Sequence, residues 1–200
     1  LNSVYIDDEQ YIIPERLAQW SHKVGFFVTA YYRENDDDEK ELVYIDYDPK
    51  STNTELDAND IISYDNYTLK YETDKGTTKT LTLPKDVILI YNGVYTTEFA
   101  NEMFTPENGS VTLISSTGGN KVDAVSIMSY EDCYISGINN IEFSVYNQLA
   151  DLGSPKKKYV FNKSEREDKV FFYNESGVRI DFDALKVGDV LSIAQNGDYA

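Results

Sequence analysis

Apolar and polar residues alternate with a period of two along much of this chain, and short sequences rich in Gly, Asn and Asp interrupt the alternation. Residues 67–83 alternate around Asp74-Lys75-Gly76, and residues 111–115 and 122–129 alternate around Thr117-Gly118-Gly119-Asn120. Successive side chains of a strand point to opposite faces of a sheet, and glycine supplies the positive φ angles of tight hairpin turns. The pattern therefore predicts two antiparallel hairpins and a mainly β fold.

Runs of β-branched and aromatic residues predict further strands. Residues 24–33 and 41–47 flank the sequence ENDDDEK and predict a hairpin with an acidic tip. The nearly continuous apolar run at residues 86–93 predicts a buried strand, and residues 139–148 predict another. The end of the chain predicts a hairpin that turns at Glu175-Ser176-Gly177, followed by a loop and a strand.

Helices are expected to be short, and one or two in number. Residues 96–110 place Phe99, Met103 and Phe104 at helical spacing before a proline, which predicts one short helix. Residues 8–22 fit either a second helix or an irregular segment that leads into the first hairpin.

The chain length of 200 residues allows one large β domain or two small ones. Tyr71 and Gly76 precede the sequence DVILIYNG, and Phe172 and Gly177 precede DVLSIAQNG, with an offset of 101 residues at the turn and 103 at the apolar run. This echo suggests an internal duplication. We therefore predict two small barrel- or sandwich-like β modules. The first would cover residues 1–95 and the second residues 96–200, and a single compact domain stays open.

The charge of the chain argues against two classes of partner. Thirty-five acidic and 18 basic residues give a net charge of −17, which repels phosphate backbones and anionic lipid surfaces. We therefore expect no nucleic-acid binding and no membrane insertion. The lysine run within residues 154–160 is interpreted as a solvated or ion-paired patch.

The glycine pair Gly118-Gly119 is followed by Asn120 and then Lys121, which raises the question of a phosphate-binding loop. Such a loop must open a helix, so that free helix N–H groups face the phosphate. The sequence VDAVSIM that follows has a strand pattern instead. We interpret the glycines as the turn of a hairpin.

Other catalytic and metal-binding arrangements have few residues to draw on. The chain has one histidine, His22, and one cysteine, Cys133, which excludes an intrachain disulfide and leaves little for a zinc or nucleophilic site. Cys133 is interpreted as a partly buried small residue. The acidic residues 36–39 lack the alternating spacing and the glycine of a calcium loop. The sequence thus predicts no catalytic, cofactor-binding or metal-binding residues, although 35 acids leave a carboxylate pair open.

Several segments together resemble a known family. The matching pieces are Ile90 to Gly93, Pro106 to Ile114, Lys121 to Tyr134 and Phe182 to Gly197. They resemble the β-rich modules of large clostridial cell-surface proteins, which often accompany S-layer homology modules, and of related phage virion structural proteins. Residues 24–46 look like the opening hairpin of such a module. The resemblance implies a structural role and an extracellular, cell-surface or virion location.

The chain departs from that family at one hairpin. Family members often carry an Asp-rich sequence where this chain reads SSTGGNKVD, which leaves Asp123 and hydroxyl groups. A calcium role implied by the resemblance is therefore not expected here.

Three functions follow as hypotheses. The first is a non-catalytic structural or scaffolding module of a larger bacterial cell-surface or phage virion protein, with other domains or subunits of that assembly as partners. The missing initiator methionine agrees with an excised fragment. The alternative is a carbohydrate- or cell-wall-binding module that uses some of the 17 tyrosines and Trp20 to stack on sugars. The third is a carboxylate-based hydrolase.

Overall fold

The structure is a computed structural model that describes residues 3–195 except 15, 18–19, 21–22, 120, 139–141, 148–157, 163–171, 175 and 177. Strands account for 53% of it and helical turns for 9%, without a helix of seven or more residues in the described part. The predicted mainly β class is confirmed. None of the sheets formed by these residues closes into a barrel.

The chain forms two compact units, Leu1–Ser129 and Tyr130–Ala200. The strands described in the first unit are β1 (Ser3–Ile6), β2 (Glu9–Ile12), β3 (Val28–Glu34), β4 (Lys40–Tyr47), β5 (Thr52–Asp57), β6 (Ile61–Asp65), β7 (Thr68–Glu72), β8 (Thr78–Thr82), β9 (Ile88–Tyr91), β10 (Val94–Thr96), β11 (Gly109–Ser115) and β12 (Ala124–Ser129). Short 3₁₀ turns lie at Ala58–Asp60 and Asn101–Phe104.

The first sheet has the strand order β1-β2-β4-β3. Strands β3 and β4 pair antiparallel, which confirms the predicted hairpin with its acidic tip. A register shift at Val43 places Leu42 and Ile45, three residues apart, on the same buried face. Residues 9–12 form strand β2, so a helix across residues 8–22 is wrong there.

The second sheet has the order β10-β9-β12-β11-β5 and contains one parallel pair, β9 with β12. Strands β11 and β12 form the predicted antiparallel hairpin, with Val111 opposite Ile127. The turn glycines Gly118 and Gly119 have φ angles of 73° and 85°. The predicted boundary after residue 95 falls inside this sheet, because the sheet takes strands from both sides of it.

The third sheet, β6-β7-β8, includes the predicted hairpin of residues 67–83 and packs on one face of the second sheet. Phe104 stands between the two sheets, fully buried, and its ring stacks on Tyr64 with centroids 3.7 Å apart. The helix predicted over residues 96–110 is reduced to the 3₁₀ turn that carries Phe104. Packing of this one ring, rather than an amphipathic helical face, positions the segment.

The second unit contains the described strands β13 (Glu131–Ile138), β14 (Glu142–Asn147), β15 (Lys158–Asn162), β16 (Phe172–Tyr173), β17 (Arg179–Ile180) and β18 (Val190–Ile193), with a 3₁₀ turn at Phe182–Ala184. Its sheet has the order β15-β14-β13-β18, and β16 pairs with β17. Cys133, Ile135 and Leu185 form its core.

The two halves of the suspected duplication have different strand neighbours. Strand β9 lies between a parallel partner, β12, and an antiparallel partner, β10. Strand β18 pairs antiparallel with β13. The preceding hairpins, β7–β8 and β16–β17, do correspond in order, so the likeness is one of local sequence and turn chemistry.

Gly109, the first residue of β11, offers a sharp test of the β11–β12 register. Its φ angle is 126°, and an added Cβ would lie 1.9 Å from the backbone oxygen of Met128. We expect Gly109→Ala to lower the free energy of unfolding by at least about 2 kcal/mol, because neither backbone can yield without breaking the ladder. Urea unfolding followed by circular dichroism measures this.

Gly93→Ala is the matched control, because Gly93 also has a positive φ, 78°, but no atom within 4 Å of the added Cβ. Its cost should be about 1 kcal/mol. Equal losses for the two variants would contradict the close approach at Gly109.

Candidate functional site

Four side chains on the buried side of the first sheet form a compact polar and aromatic group, which we call the Lys40 cluster: Glu9, Tyr11, Tyr32 and Lys40. The ammonium of Lys40 lies 2.5 Å from Glu9 Oε2, and the Tyr11 hydroxyl donates to the same oxygen at 2.8 Å. Lys40 Nζ also lies 5.6 Å and 5.2 Å from the ring centroids of Tyr11 and Tyr32, which meet edge to face. The cation is thus held by one carboxylate and two rings.

The mutual contacts fix the protonation states of the cluster. The hydrogen bond from Lys40, followed by that from Tyr11, lowers the pKa of Glu9. The hydrogen bond to Glu9 raises the pKa of Lys40 and likewise that of Tyr11. At neutral pH the lysine is therefore charged and the tyrosine protonated. Neither is suited to act as a nucleophile or a general base.

The position of the cluster indicates a structural task. Strands β2 and β4 are joined by a single residue pair, Ile12 with Glu41. The Lys40–Glu9 contact adds a second connection between the same strands. This cluster could not be predicted from the sequence, because its members are up to 31 residues apart and residues 9–12 carried no strand prediction.

The β11–β12 turn holds the second organised polar group. Asp123 Oδ2 accepts hydrogen bonds from the backbone nitrogen and hydroxyl of Ser116, at 2.8 and 2.7 Å. Its Oδ1 lies 2.5 Å from Lys121 Nζ. The hydrogen bond from Lys121, together with those from Ser116, lowers the pKa of Asp123 to about 2. The lysine that follows the glycine pair therefore closes the hairpin, and residues 124–129 continue as a strand rather than a helix.

The acidic tip of the β3–β4 hairpin is closed by an asparagine. Asn35 Oδ1 accepts hydrogen bonds from the backbone nitrogens of Asp37 and Glu39, at 3.0 and 2.9 Å. Its amide nitrogen donates to Glu39 Oε2 at 3.2 Å. Across the residues that the structure describes, no group of three or more His, Cys, Asp or Glu side chains is arranged to hold a metal ion.

The other candidate residues from the sequence are Cys133, His22 and the lysine run. Cys133 is fully buried in the core of the second unit, more completely than the sequence predicted. His22 lies outside the described residues, as do positions 154–157 of the lysine run.

Exposed tyrosines occur on both faces of the first sheet. Tyr31 and Tyr44 lie side by side on the face opposite the core, with ring centroids 6.1 Å apart and exposures of 61% and 51%. Tyr32 and Tyr47 lie on the face that carries Leu42, and they are 47% and 36% exposed. The Tyr44 hydroxyl is engaged, since it donates to Asp46 Oδ2 at 2.8 Å.

In comparisons with known proteins, no family model, curated protein or solved structure matches the chain. Within the described ranges, none of the helical turns is long and apolar enough to cross a membrane.

The pH dependence of stability tests the Asp123 turn. The native pKa of about 2 lies below the ordinary value of 3.8, so the unfolded chain binds the proton more tightly than the folded one. The carboxylate therefore stabilises the fold fully above about pH 4, and this contribution is lost as the pH falls toward 2. We expect Asp123→Asn to cost about 1–2 kcal/mol at pH 7, discounted because Lys121 is 69% exposed.

Urea unfolding of both proteins at several pH values measures the difference. It should shrink steadily between pH 4 and pH 2. Asp74→Asn, at the exposed tip of the β7–β8 hairpin, is the control and should change stability little at pH 7. A pH-independent loss for Asp123→Asn would contradict the ionic role of this carboxylate.

Hydrogen exchange tests the Lys40 cluster. Lys40→Gln removes the charge that holds Glu9 and faces both rings, so we expect faster amide exchange in β1 and β2, while the second sheet keeps its protection. Lys75→Gln, at an exposed hairpin tip, is the control. If β1 and β2 exchange at the same rate in both variants, the cluster does not hold these strands.

Proposed function

We propose that this chain is a non-catalytic structural module of a larger bacterial cell-surface or phage virion assembly, located outside the cell or in the virion. Its partners in this proposal are other domains or subunits of the same assembly. The proposal combines the resemblance of its turn and strand sequences to such modules with the way in which the described polar residues are used.

One observation carries the proposal. The carboxylates with lowered pKa values form hydrogen bonds and ion pairs with other side chains of the same unit. Glu9 is held by Lys40 and Tyr11, and Asp123 is held by Lys121 and Ser116. Glu9 connects strands β2 and β4 of the first sheet, and Asp123 connects the two ends of the β11–β12 turn. A catalytic acid or base needs the opposite arrangement, with an ionisable group directed at a substrate.

The distribution of aromatic residues supports the same proposal. A sugar-binding surface presents aromatic rings along one groove. In the first sheet the exposed rings are divided between the two faces, with Tyr31 and Tyr44 on one and Tyr32 and Tyr47 on the other. Lys40 also covers part of the Tyr32 ring, which leaves less of it for a ligand.

The alternative, a carbohydrate- or cell-wall-binding module, is favoured by one observation. Tyr31 and Tyr44 form a neighbouring pair of exposed rings, and Arg33 on the same face is 65% exposed while paired with Glu41. Stacking on one ring and hydrogen bonds from a guanidinium are common elements of sugar recognition.

Sedimentation of the chain with purified peptidoglycan and wall polysaccharide, at physiological ionic strength, decides between the two functions. The structural proposal expects no saturable binding to either. Saturable binding that Tyr31→Ala and Tyr44→Ala abolish would replace it with the sugar-binding function. Tyr95→Ala is the matched control, because Tyr95 is equally exposed, at 60%, on a different sheet.

A further inference from the structure

Strand β3 has one edge paired with β4, and its other edge carries no described strand. Two hydrogen bonds fix which main-chain groups face that edge. Asp48 N donates to Phe27 O, and Asn35 N donates to Glu39 O, both at 2.9 Å, so the odd-numbered residues of β3 bond toward β4. The residues whose N–H and C=O groups point to the open edge are therefore Val28, Ala30, Tyr32 and Glu34.

This edge lacks the features that usually protect an edge strand. Natural edges are guarded by short length, lysine, proline, bulges or charges along the strand. β1 and β10 have four and three residues, β6 contains a bulge, β8 carries Lys79, and β5 carries Glu55 and Asp57. β3 has seven residues, VTAYYRE, with its two charges confined to the last positions, and the register shift of its hairpin adds the extra residue to β4.

Charge selects the direction in which a second strand could add. Glu34 and the acidic residues Asp36, Asp37, Asp38 and Glu39 cluster at one end of β3. A parallel arrangement of two such strands would bring two acidic ends together. An antiparallel arrangement places them at opposite ends of the strand pair, with the two Glu34 residues about 20 Å apart and the tips farther, more than twice the Debye length at physiological salt. Two copies of β3 can therefore pair only antiparallel.

In one antiparallel register, the side chains of β3 fit against those of β3 in a second copy. In this register Tyr31 faces Tyr31 of the second copy. Ala30 then lies opposite Tyr32, a small residue beside a large one, on both sides of the two-fold axis. On the other face, the Tyr44–Tyr31 pair of each copy joins into one row of four rings. Thr29 lies opposite Arg33, so no like charges meet along the strand.

We propose that β3 is a homotypic docking edge: it pairs antiparallel with β3 of a second copy of this chain, with Tyr31 at the two-fold axis, and joins the two first sheets into one eight-stranded sheet. Such an isologous contact is closed by its symmetry. The inference does not depend on the proposed function, because it rests on the edge, its charges and its register.

Cysteine cross-linking of the full chain tests the register. Facing residues at the two-fold axis have Cα atoms about 4.5–5.5 Å apart, within disulfide range, so Tyr31→Cys should form a covalent dimer under mild oxidation. Tyr44→Cys is the matched control: it is similarly exposed, but the two copies would lie three strand spacings apart, about 14 Å. Native Cys133 is fully buried and should not cross-link.

Sedimentation equilibrium tests the same pairing without oxidation. The unmodified chain should dimerise with rising concentration, and more tightly at higher salt, because salt screens the repulsion between two chains of charge −17. Thr29→Lys places like charges opposite Arg33 twice and should weaken the dimer about five-fold. Thr29→Glu should tighten it by about the same factor. Net charge alone predicts the reverse order, since the lysine lowers the total negative charge.

The outcomes separate cleanly. Cross-linking at position 31 but not 44, with the predicted order of the Thr29 variants, supports the proposal. A chain that stays monomeric at high salt and does not cross-link through Cys at position 31 overturns it. Equal cross-linking at both positions, or the reverse order of the Thr29 variants, assigns any association to another surface.

Discussion

The burial of both faces of the second sheet is the constraint on which the first unit depends. In β11, Val111 and Leu113 face the third sheet and Phe104, while Thr112 and Ile114 are buried on the opposite face. On that second face, Gly25 lies so close to Ile90 that an added Cβ would sit 2.9 Å from it. A sheet buried on both sides cannot shift its register by one residue without exchanging two packed surfaces. The turns around it must therefore hold that register, which is the task that Asp123 and Gly109 perform.

Local features of the fold could be predicted from sequence because their signals lie within a few residues. Alternation around Gly76 and around Gly118-Gly119 identified two hairpins, since the turn chemistry and both strands are contiguous. Long-range pairings carry no such signal. The polar strand β5 joins β11, about 58 residues away, and β9 joins β12 in parallel. Period-two alternation identified β12 as a strand but could not reveal that Ser126 is buried, because a small hydroxyl suits either environment.

The two polar groups, the β11–β12 turn and the Lys40 cluster, also differ in whether their signal in the sequence is local or long-range. The prediction that Gly118-Gly119 forms a turn succeeded because the missing helix can be read directly from the residues that follow. The Lys40 cluster could not be found in this way, since Glu9, Tyr11, Tyr32 and Lys40 meet only after two hairpins are placed side by side. Both groups are solutions to one problem, which is to join strands whose main-chain pairing is short or ends in a tight turn. An ionised carboxylate does this well because charge-assisted hydrogen bonds are stronger than neutral ones.

The high negative charge and the open edge of β3 are best considered together. A long edge strand with two adjacent exposed tyrosines is an aggregation risk in any β protein, because its main-chain groups accept many partners. A net charge of −17 raises the cost of every such encounter, and the acidic tip at one end of β3 raises it most for parallel arrangements. Antiparallel contact in one register escapes most of this penalty, because the acidic ends then point away from each other. Charge thus restricts the edge of β3 to a narrow set of partners and directions without closing it.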